Sequence, residues 1–301
     1  MRRFHMLLMT VCLLLSGMAY GQERTADELF REANEAFVEG SYEKAIGLYE
    51  QTVAQKPELK EAWYNLGVAY GQTRQYEKEL KAYRQALELD PTYARAHYNL
   101  ALALEDSGKD EEALKEYREA VKLEPTAIDA HINMGILLSR IERFDEAIKA
   151  YQDALKVDSG VAETYYNLGV VYAKKAKESK DDAEKNRWLK EAVTAYETAL
   201  DKRPTFYRAC YNLALAYYTL GNTDKEIEAY ERAIGLKRAY PEALYNLAYA
   251  WEEKGDLAKA AEYWKRYIDI ASRYDSEKDF VEVARKEMAR IQERQKAGGA
   301  N

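Results

Sequence analysis

A short phrase centred on asparagine returns at a fixed interval along this chain, and that interval limits what it can fold into. It reads Trp63-Tyr64-Asn65-Leu66-Gly67, His97-Tyr98-Asn99-Leu100-Ala101, His131-Ile132-Asn133-Met134-Gly135, Tyr165-Tyr166-Asn167-Leu168-Gly169, Cys210-Tyr211-Asn212-Leu213-Ala214 and Leu244-Tyr245-Asn246-Leu247-Ala248. The asparagines are 34 residues apart, except Asn167 and Asn212, which are 45 apart: one period with 11 inserted residues. A second phrase keeps step, with Tyr83/Ala86, Tyr117/Ala120, Tyr151/Ala154, Tyr196/Ala199 and Tyr230/Ala233 in one register. Pro57, Pro91, Pro125 and Pro204 close their units, where proline stops a helix. A degenerate first unit (Ala33, Gly40, Tyr42, Ala45, Tyr49) and a last one (Trp251, Gly255, Ala260, Trp264, Tyr267) complete seven units over residues 26–274. The period overrides the two-domain expectation that a length of 301 residues would suggest.

Each unit holds two helical patterns. Ala62, Leu66, Ala69 and Tyr70 recur at helical spacing, and Leu80, Tyr83, Ala86 and Leu87 do so on the next helix. A short polar turn separates them, with Gly40, Gly108, Gly221 or Gly255 in four units. Gly67, Ala101, Gly135, Gly169, Ala214 and Ala248 let the paired helices approach, and a tyrosine or tryptophan opposite fills the groove between pairs. One such pair cannot bury its apolar face; stacking supplies the missing surface, so the expected product is an all-α solenoid.

The pattern resembles the tetratricopeptide repeat family. Residues 60–93 supply Trp63, Leu66, Gly67, Tyr70, Tyr83, Ala86 and Pro91 at motif positions 4, 7, 8, 11, 24, 27 and 32, departing with Glu79 at position 20, where the family places alanine. Residues 94–127 supply Leu100, Ala101, Leu104, Ala113, Tyr117, Ala120 and Pro125. Further departures are Glu226 at position 20, Arg238 and Ser159 at position 32, and Glu32 at position 7 of the first repeat, where no preceding repeat covers that side. The resemblance implies a right-handed α-α superhelix with repeats at 26–59, 60–93, 94–127, 128–161, 162–206, 207–240 and 241–274. It also implies a non-catalytic scaffold that takes a peptide or protein partner in its concave groove.

The insertion spans Lys174 to Arg187. Eleven residues are about three helical turns, so both helices of that repeat are expected to lengthen and carry their turn outward as a charged knuckle. It reads as a solvated extension or as a partner contact. Residues 275–296 read as one more helix, with Phe280, Val283, Ala284, Met288 and Ile291 as its apolar stripe, capping the stack or docking a partner. The tail, 297–301, is expected to be disordered.

In the resembling family, positions 2, 5, 6, 9, 12 and 13 of the first helix face the groove. Position 6 here is Asn65, Asn99, Asn133, Asn167, Asn212 and Asn246. An amide donates and accepts at once, so this ladder either holds the backbone of an extended peptide or satisfies local groups. Position 5 adds Tyr64, Tyr98, Tyr166, Tyr211 and Tyr245 (Ile132 in the fourth repeat), and position 9 adds Val68, Leu102, Ile136, Val170, Leu215 and Tyr249. Arg95, Arg140, Lys174 and Arg208 make the middle of the groove basic, suiting a ligand with acidic residues or a free carboxylate. Glu61, Asp106, Glu242, Glu252 and Glu253 make its ends acidic. The paired-lysine carboxylate clamp of chaperone-binding relatives is not reproduced.

The N-terminus has a different character. Arg2 and Arg3, the apolar run Met6 to Leu15 and the small residues Ser16, Gly17, Ala19 and Gly21 follow the order of a secretory signal peptide. Cleavage falls after Gly21 or after Ala19; the other reading is a retained anchor. Export makes the mature chain periplasmic or secreted, where an envelope complex is an expected setting. Losing Arg2 and Arg3 from 45 basic residues leaves 43 against 52 acidic ones, a balance ill-suited to nucleic acid. Cys210 then stands alone, so no internal disulfide forms.

His97, His131 and Cys210 occupy position 4, where Trp63, Tyr165 and Leu244 stand in other repeats. Packing rather than metal ligation is expected of them. No phosphate loop, zinc-protease or nucleophile-elbow motif occurs, and no cofactor is implied. The leading expectation is an exported adaptor. The alternative is a structural member of an envelope assembly, held by its convex face, insertion or last helix.

Overall fold

A computed structural model of the chain describes residues 24–298. The segment read as a signal peptide and residues 299–301 lie outside the described residues. The described residues form α-helices and one short 3-10 turn, in two compact units divided after Pro125.

The first unit stacks three antiparallel hairpins: α1 (Ala26–Val38) with α2 (Tyr42–Gln55), α3 (Lys60–Gln72) with α4 (Tyr76–Leu89), and α5 (Ala94–Asp106) with α6 (Asp110–Leu123). Thr25 opens α1 with a capping box: its hydroxyl accepts from the Glu28 amide, and the Glu28 carboxylate accepts from the Thr25 amide. Glu32 stays half-exposed and pairs with Arg24 at 2.7 Å.

The second unit contains four hairpins: α7 (Ile128–Arg140) with α8 (Phe144–Val157), α9 (Ala162–Glu178) with α10 (Asp182–Lys202), α11 (Tyr207–Thr219) with α12 (Thr223–Leu236), and α13 (Pro241–Glu253) with α14 (Leu257–Ala271). A 3-10 turn (Asp275–Glu277) leads into α15 (Lys278–Gly298), which packs on α14. The insertion lengthens α9 to 17 residues, where other first helices have 13, and α10 to 21, where most second helices have 14.

Two expectations are corrected at the C-terminus. The buried stripe of α15 is Val281, Ala284 and Ile291, with Met288 partly buried, whereas Phe280 is 52% exposed and Val283 also faces out. The helix begins only at Lys278, after the 3-10 turn, and it meets the preceding helices through Val281, Ala284 and Ile291. Ala297 and Gly298, expected in the tail, continue the helix.

The packing inside each hairpin follows from the small residue at position 8. A Cβ built on Gly67, Gly135 or Gly169 would lie 2.6, 2.7 or 2.5 Å from the ring of Tyr83, Tyr151 or Tyr196 respectively. Each tyrosine ring therefore packs directly against the facing backbone and fills the space between helices.

The turn between paired helices requires a left-handed residue at position 15. Gly40, Gly108, Gly221 and Gly255 fill it with φ between 71° and 87°, but Arg74 (58°) and Glu142 (63°) fill it without glycine. A side chain there costs about 1–2 kcal/mol, and both residues are exposed. Arg74→Gly and Glu142→Gly are each expected to stabilise the fold by about 1 kcal/mol in urea unfolding; unchanged or lowered midpoints would contradict this.

Candidate functional site

The asparagine amides are engaged across the repeats. Asn65 donates to Asn34 Oδ1 at 2.9 Å, and Tyr49 donates to the same oxygen at 2.6 Å. Asn99 donates to the Tyr64 hydroxyl at 2.8 Å, Asn212 to Tyr166 at 3.2 Å and Asn246 to Tyr211 at 3.2 Å. In these last three cases the amide ties one first helix to the position-5 tyrosine of the preceding one. Burial pushes the Tyr196 and Tyr230 phenols well above the usual range, and the neighbouring Asn212 and Asn246 amides oppose that shift. The ladder is thus, in good part, a clip between repeats, the local role that the sequence left open.

Asn167 differs. The repeat before it carries Ile132 at position 5, which has no hydroxyl, and among the described residues the Asn167 side chain has no hydrogen-bond partner. Asn133 is half-buried on α7. Removing a neutral hydrogen bond is worth about 1 kcal/mol. Asn212→Ala and Asn246→Ala are therefore expected to destabilise by that amount, and Asn167→Ala by less than about 0.5 kcal/mol. Equal losses at all three positions in denaturant titrations would remove the distinction.

The tyrosines serve packing as well as the groove. Tyr64 lies 5.1 Å from Tyr93 and 5.9 Å from Tyr83 between ring centroids, Tyr98 6.1 Å from Tyr117, Tyr166 4.8 Å from Phe206, and Tyr211 5.1 Å from Tyr240. Tyr245 meets Trp264, Tyr267 and Phe280 edge-on. Such pairs add about 0.5–1.5 kcal/mol each beyond their burial.

The basic residues differ in what they contact. Lys174 donates to the Ser139 carbonyl at 3.1 Å and lies over the Phe144 ring, so it ties α9 back to the preceding hairpin. Arg208 lies over Tyr207 and donates to its hydroxyl at 3.3 Å. Arg95 is exposed on α5 with no ion pair among the described residues, and Arg140, also exposed, is engaged at the end of α7.

Position 4 turns inward. Trp63 Nε1 donates to the Pro57 carbonyl at 2.8 Å, and His97 Nε2 reaches the Pro91 carbonyl at 2.9 Å in the equivalent contact. His97 Nδ1 faces Glu116 at 2.6 Å, so both ring nitrogens meet acceptors and the imidazolium is favoured; that carboxylate raises the His97 pKa. Cys210 is buried, and desolvation pushes its thiol upward.

Sequence reasoning did not identify an apolar recess on the groove face. Val170, Ala173 and Ala176 of α9, Leu189 and Tyr196 of α10, and Leu215, Ala216 and Tyr218 of α11 enclose about 580 Å³. Lys174, Lys177 and Lys185 stand at its rim. The Lys177 and Lys185 ammonium groups have no ion pair among the described residues. The lengthened hairpin builds this wall, because Lys177 and Lys185 lie on the added turns. Beside the insertion, Trp188 stacks on Tyr172 (5.7 Å, 14°) under Lys175, which pairs with Asp145 at 2.5 Å. In the first unit a smaller recess of about 340 Å³ lies among Asn34, Phe37, Val38, Tyr49, Asn65 and Val68.

Tandem antiparallel hairpins of this length, small-to-tyrosine packing and a first-helix groove define a helical-repeat protein. The chain belongs to the tetratricopeptide repeat family. One tetratricopeptide repeat model matches residues 30–94, 181–241 and 234–275, a TPR repeat model matches 103–141 and 140–175, and a third matches 82–115. None of the curated proteins matches the chain. Among solved structures, the C-terminal part of a TPR repeat-containing protein from Cytophaga hutchinsonii is 20% identical over 83% of this chain and 98% of its own, with a TM-score of 0.69. YrrB, described as a TPR protein with an unusual peptide-binding site, is 21% identical over 66% of this chain and 96% of its own (TM-score 0.56). MamA from Desulfovibrio magneticus is 24% identical over 60% and 97% (TM-score 0.53). At these identities the likeness shows the fold alone. The family supports protein–protein interaction as the broad function.

Proposed function

We propose that the chain is a non-catalytic scaffold that binds a peptide or protein partner in the concave groove of its first helices, anchored where the lengthened repeat meets the next. The observation that carries this is the apolar recess of about 580 Å³ rimmed by Lys174, Lys177 and Lys185. An apolar anchor inserted there would be desolvated on several sides. Lys177 and Lys185 would then meet carboxylates of the partner, in a chain whose own net charge is −7. Asn167 adds an unengaged amide on the same helix, α9. That YrrB is described as having a peptide-binding site is in keeping with this reading.

The test is an affinity pull-down from the native cell envelope with chain beginning at Gln22. Wild type is compared with a Lys177→Glu/Lys185→Glu variant of matched helicity and melting temperature. A partner held by wild type and lost by the variant supports the groove. Equal retention overturns it and favours the second reading, an envelope assembly member held elsewhere; the exposed Phe280 and Val283 on α15 give that reading its surface.

We also propose export, on the order of residues 2–21. Protein recovered from the periplasm or medium should begin at Gln22 or Tyr20; recovery only as the intact chain in the cytoplasm would overturn export.

A further inference from the structure

We infer that the pocket enclosed by α11, α12 and α13 is a subsite for a cationic side chain of the partner, a lysine or arginine whose charge lies between Glu226 and Glu253. The inference deepens the groove proposal and rests on it.

Position 20 is alanine in five of the seven repeats: Ala45, Ala113, Ala147, Ala192 and Ala260, all fully buried. Glu226 stands at that position in the sixth repeat. It is 3% exposed, and its Oε2 has no hydrogen-bond partner among the described residues. A buried carboxylate oxygen without a partner is destabilising, so fold stability gives no reason for glutamate where alanine fits.

The residue lines a pocket of about 400 Å³ with Leu215 and Tyr218 of α11, Tyr230 of α12, and Asn246, Tyr249, Ala250 and Glu253 of α13. Glu253 lies at position 13 on the groove face and is exposed. The groups facing Glu226 are therefore one second carboxylate, three tyrosines and an amide, with no cation among them. Burial and then the Glu253 charge push the Glu226 carboxyl up to about 7. An ammonium or guanidinium entering here would pair with two carboxylates and lie against aromatic faces. Hard divalent ions take about six to eight oxygen ligands, a set that two carboxylates among tyrosine rings do not resemble.

Leu215 and Tyr218 also wall the lysine-rimmed recess. One ligand can therefore seat an apolar residue in the first pocket and a basic residue in the second. The pairing recurs in the first unit: Glu79, the other glutamate at position 20, is pushed to about 7 by burial and by Asp106, the position-13 residue of the next repeat. Gly71 leaves room for it, since a Cβ there would fall 2.7 Å from Glu79 Oε1.

The test uses blocked single residues as probes: N-acetyl-lysine and N-acetyl-arginine methylamides against N-acetyl-norleucine methylamide, titrated by NMR into chain beginning at Gln22. Near pH 8 the basic probes should bind saturably and shift Tyr218 and Tyr249 resonances, with the norleucine probe weaker by roughly tenfold or more. Glu226→Ala restores the residue of the other repeats and so keeps the fold, and it should abolish the preference. Near pH 5.5 the preference should shrink, because protonated Glu226 no longer attracts a cation. Norleucine binding as well as lysine, Glu226→Ala binding like wild type, or no saturable binding of either basic probe would each overturn the subsite. The probes need no partner, so a partner captured through the recess together with unselective probes overturns the subsite alone.

Discussion

Tyr196→Ala is expected to lower the free energy of unfolding by about 3–5 kcal/mol. Tyr196 is 2% exposed; its ring lies against Gly169, where even a single added carbon would collide at 2.5 Å, and it contacts Tyr166 at a centroid distance of 6.0 Å. Truncation leaves a cavity that the facing helix cannot close, because α9 and α10 are held apart at both ends by the remaining packing of their long hairpin. Tyr196→Phe keeps the ring and removes only the hydroxyl, so about 1 kcal/mol is expected. Urea unfolding of the two variants separates packing from hydrogen bonding. Similar small losses for both would mean that the small-to-tyrosine contact does not hold the hairpin together.

Glu226→Ala should act in the opposite direction, and only over part of the pH range. The carboxyl sits near 4.5 when unfolded and near 7 when folded. A raised carboxyl pKa means the folded state resists ionisation: the penalty is absent below about 4.5, grows between the two values and is complete above about 7. The variant is therefore expected to be more stable than wild type by about 2–3 kcal/mol near pH 8 and nearly equal to it near pH 4.5. Thermal or urea unfolding at both pH values checks this. A loss of stability at pH 8 would mean that the buried carboxylate has a partner that stabilises it. The gain, if found, makes Glu226 a residue retained against stability, which is the expectation for a group that serves binding.

The architecture was legible because each repeat repeats the same physical constraints. Small residues at position 8, tyrosine at position 24 and prolines at unit ends specify a hairpin whichever copy is read. The insertion obeyed helical arithmetic, adding whole turns to both helices. Arg74 and Glu142 show where the pattern was only partly visible: the left-handed turn exists in all regular repeats, though glycine marks it in four.

The groove was less legible for a different reason. Asparagine at position 6 suits a peptide backbone and a neighbouring tyrosine equally, and only the partner's identity distinguishes them. That identity was in the sequence at position 5: tyrosine precedes Asn99, Asn212 and Asn246, whereas isoleucine precedes Asn167. Lys174 looked open because its anchor, the Ser139 carbonyl, is backbone and carries no sequence signal. Phe280 and Val283 read as core because helical spacing alone does not fix which of two apolar faces meets α14. Glu226 was visible as a departure from alanine, but its meaning depends on the three tyrosines that the fold gathers around it.

The central claim is that a partner occupies the groove face beside the lengthened repeat. A photo-crosslinking residue placed at Tyr218, which is 54% exposed where the two pockets meet, tests it most directly against the same residue at Thr194 on the exposed face of α10. In living cells the account predicts one partner cross-linked from position 218 and none from position 194. Cross-linking from 194 with none from 218 would place the partner on the outer surface and contradict it.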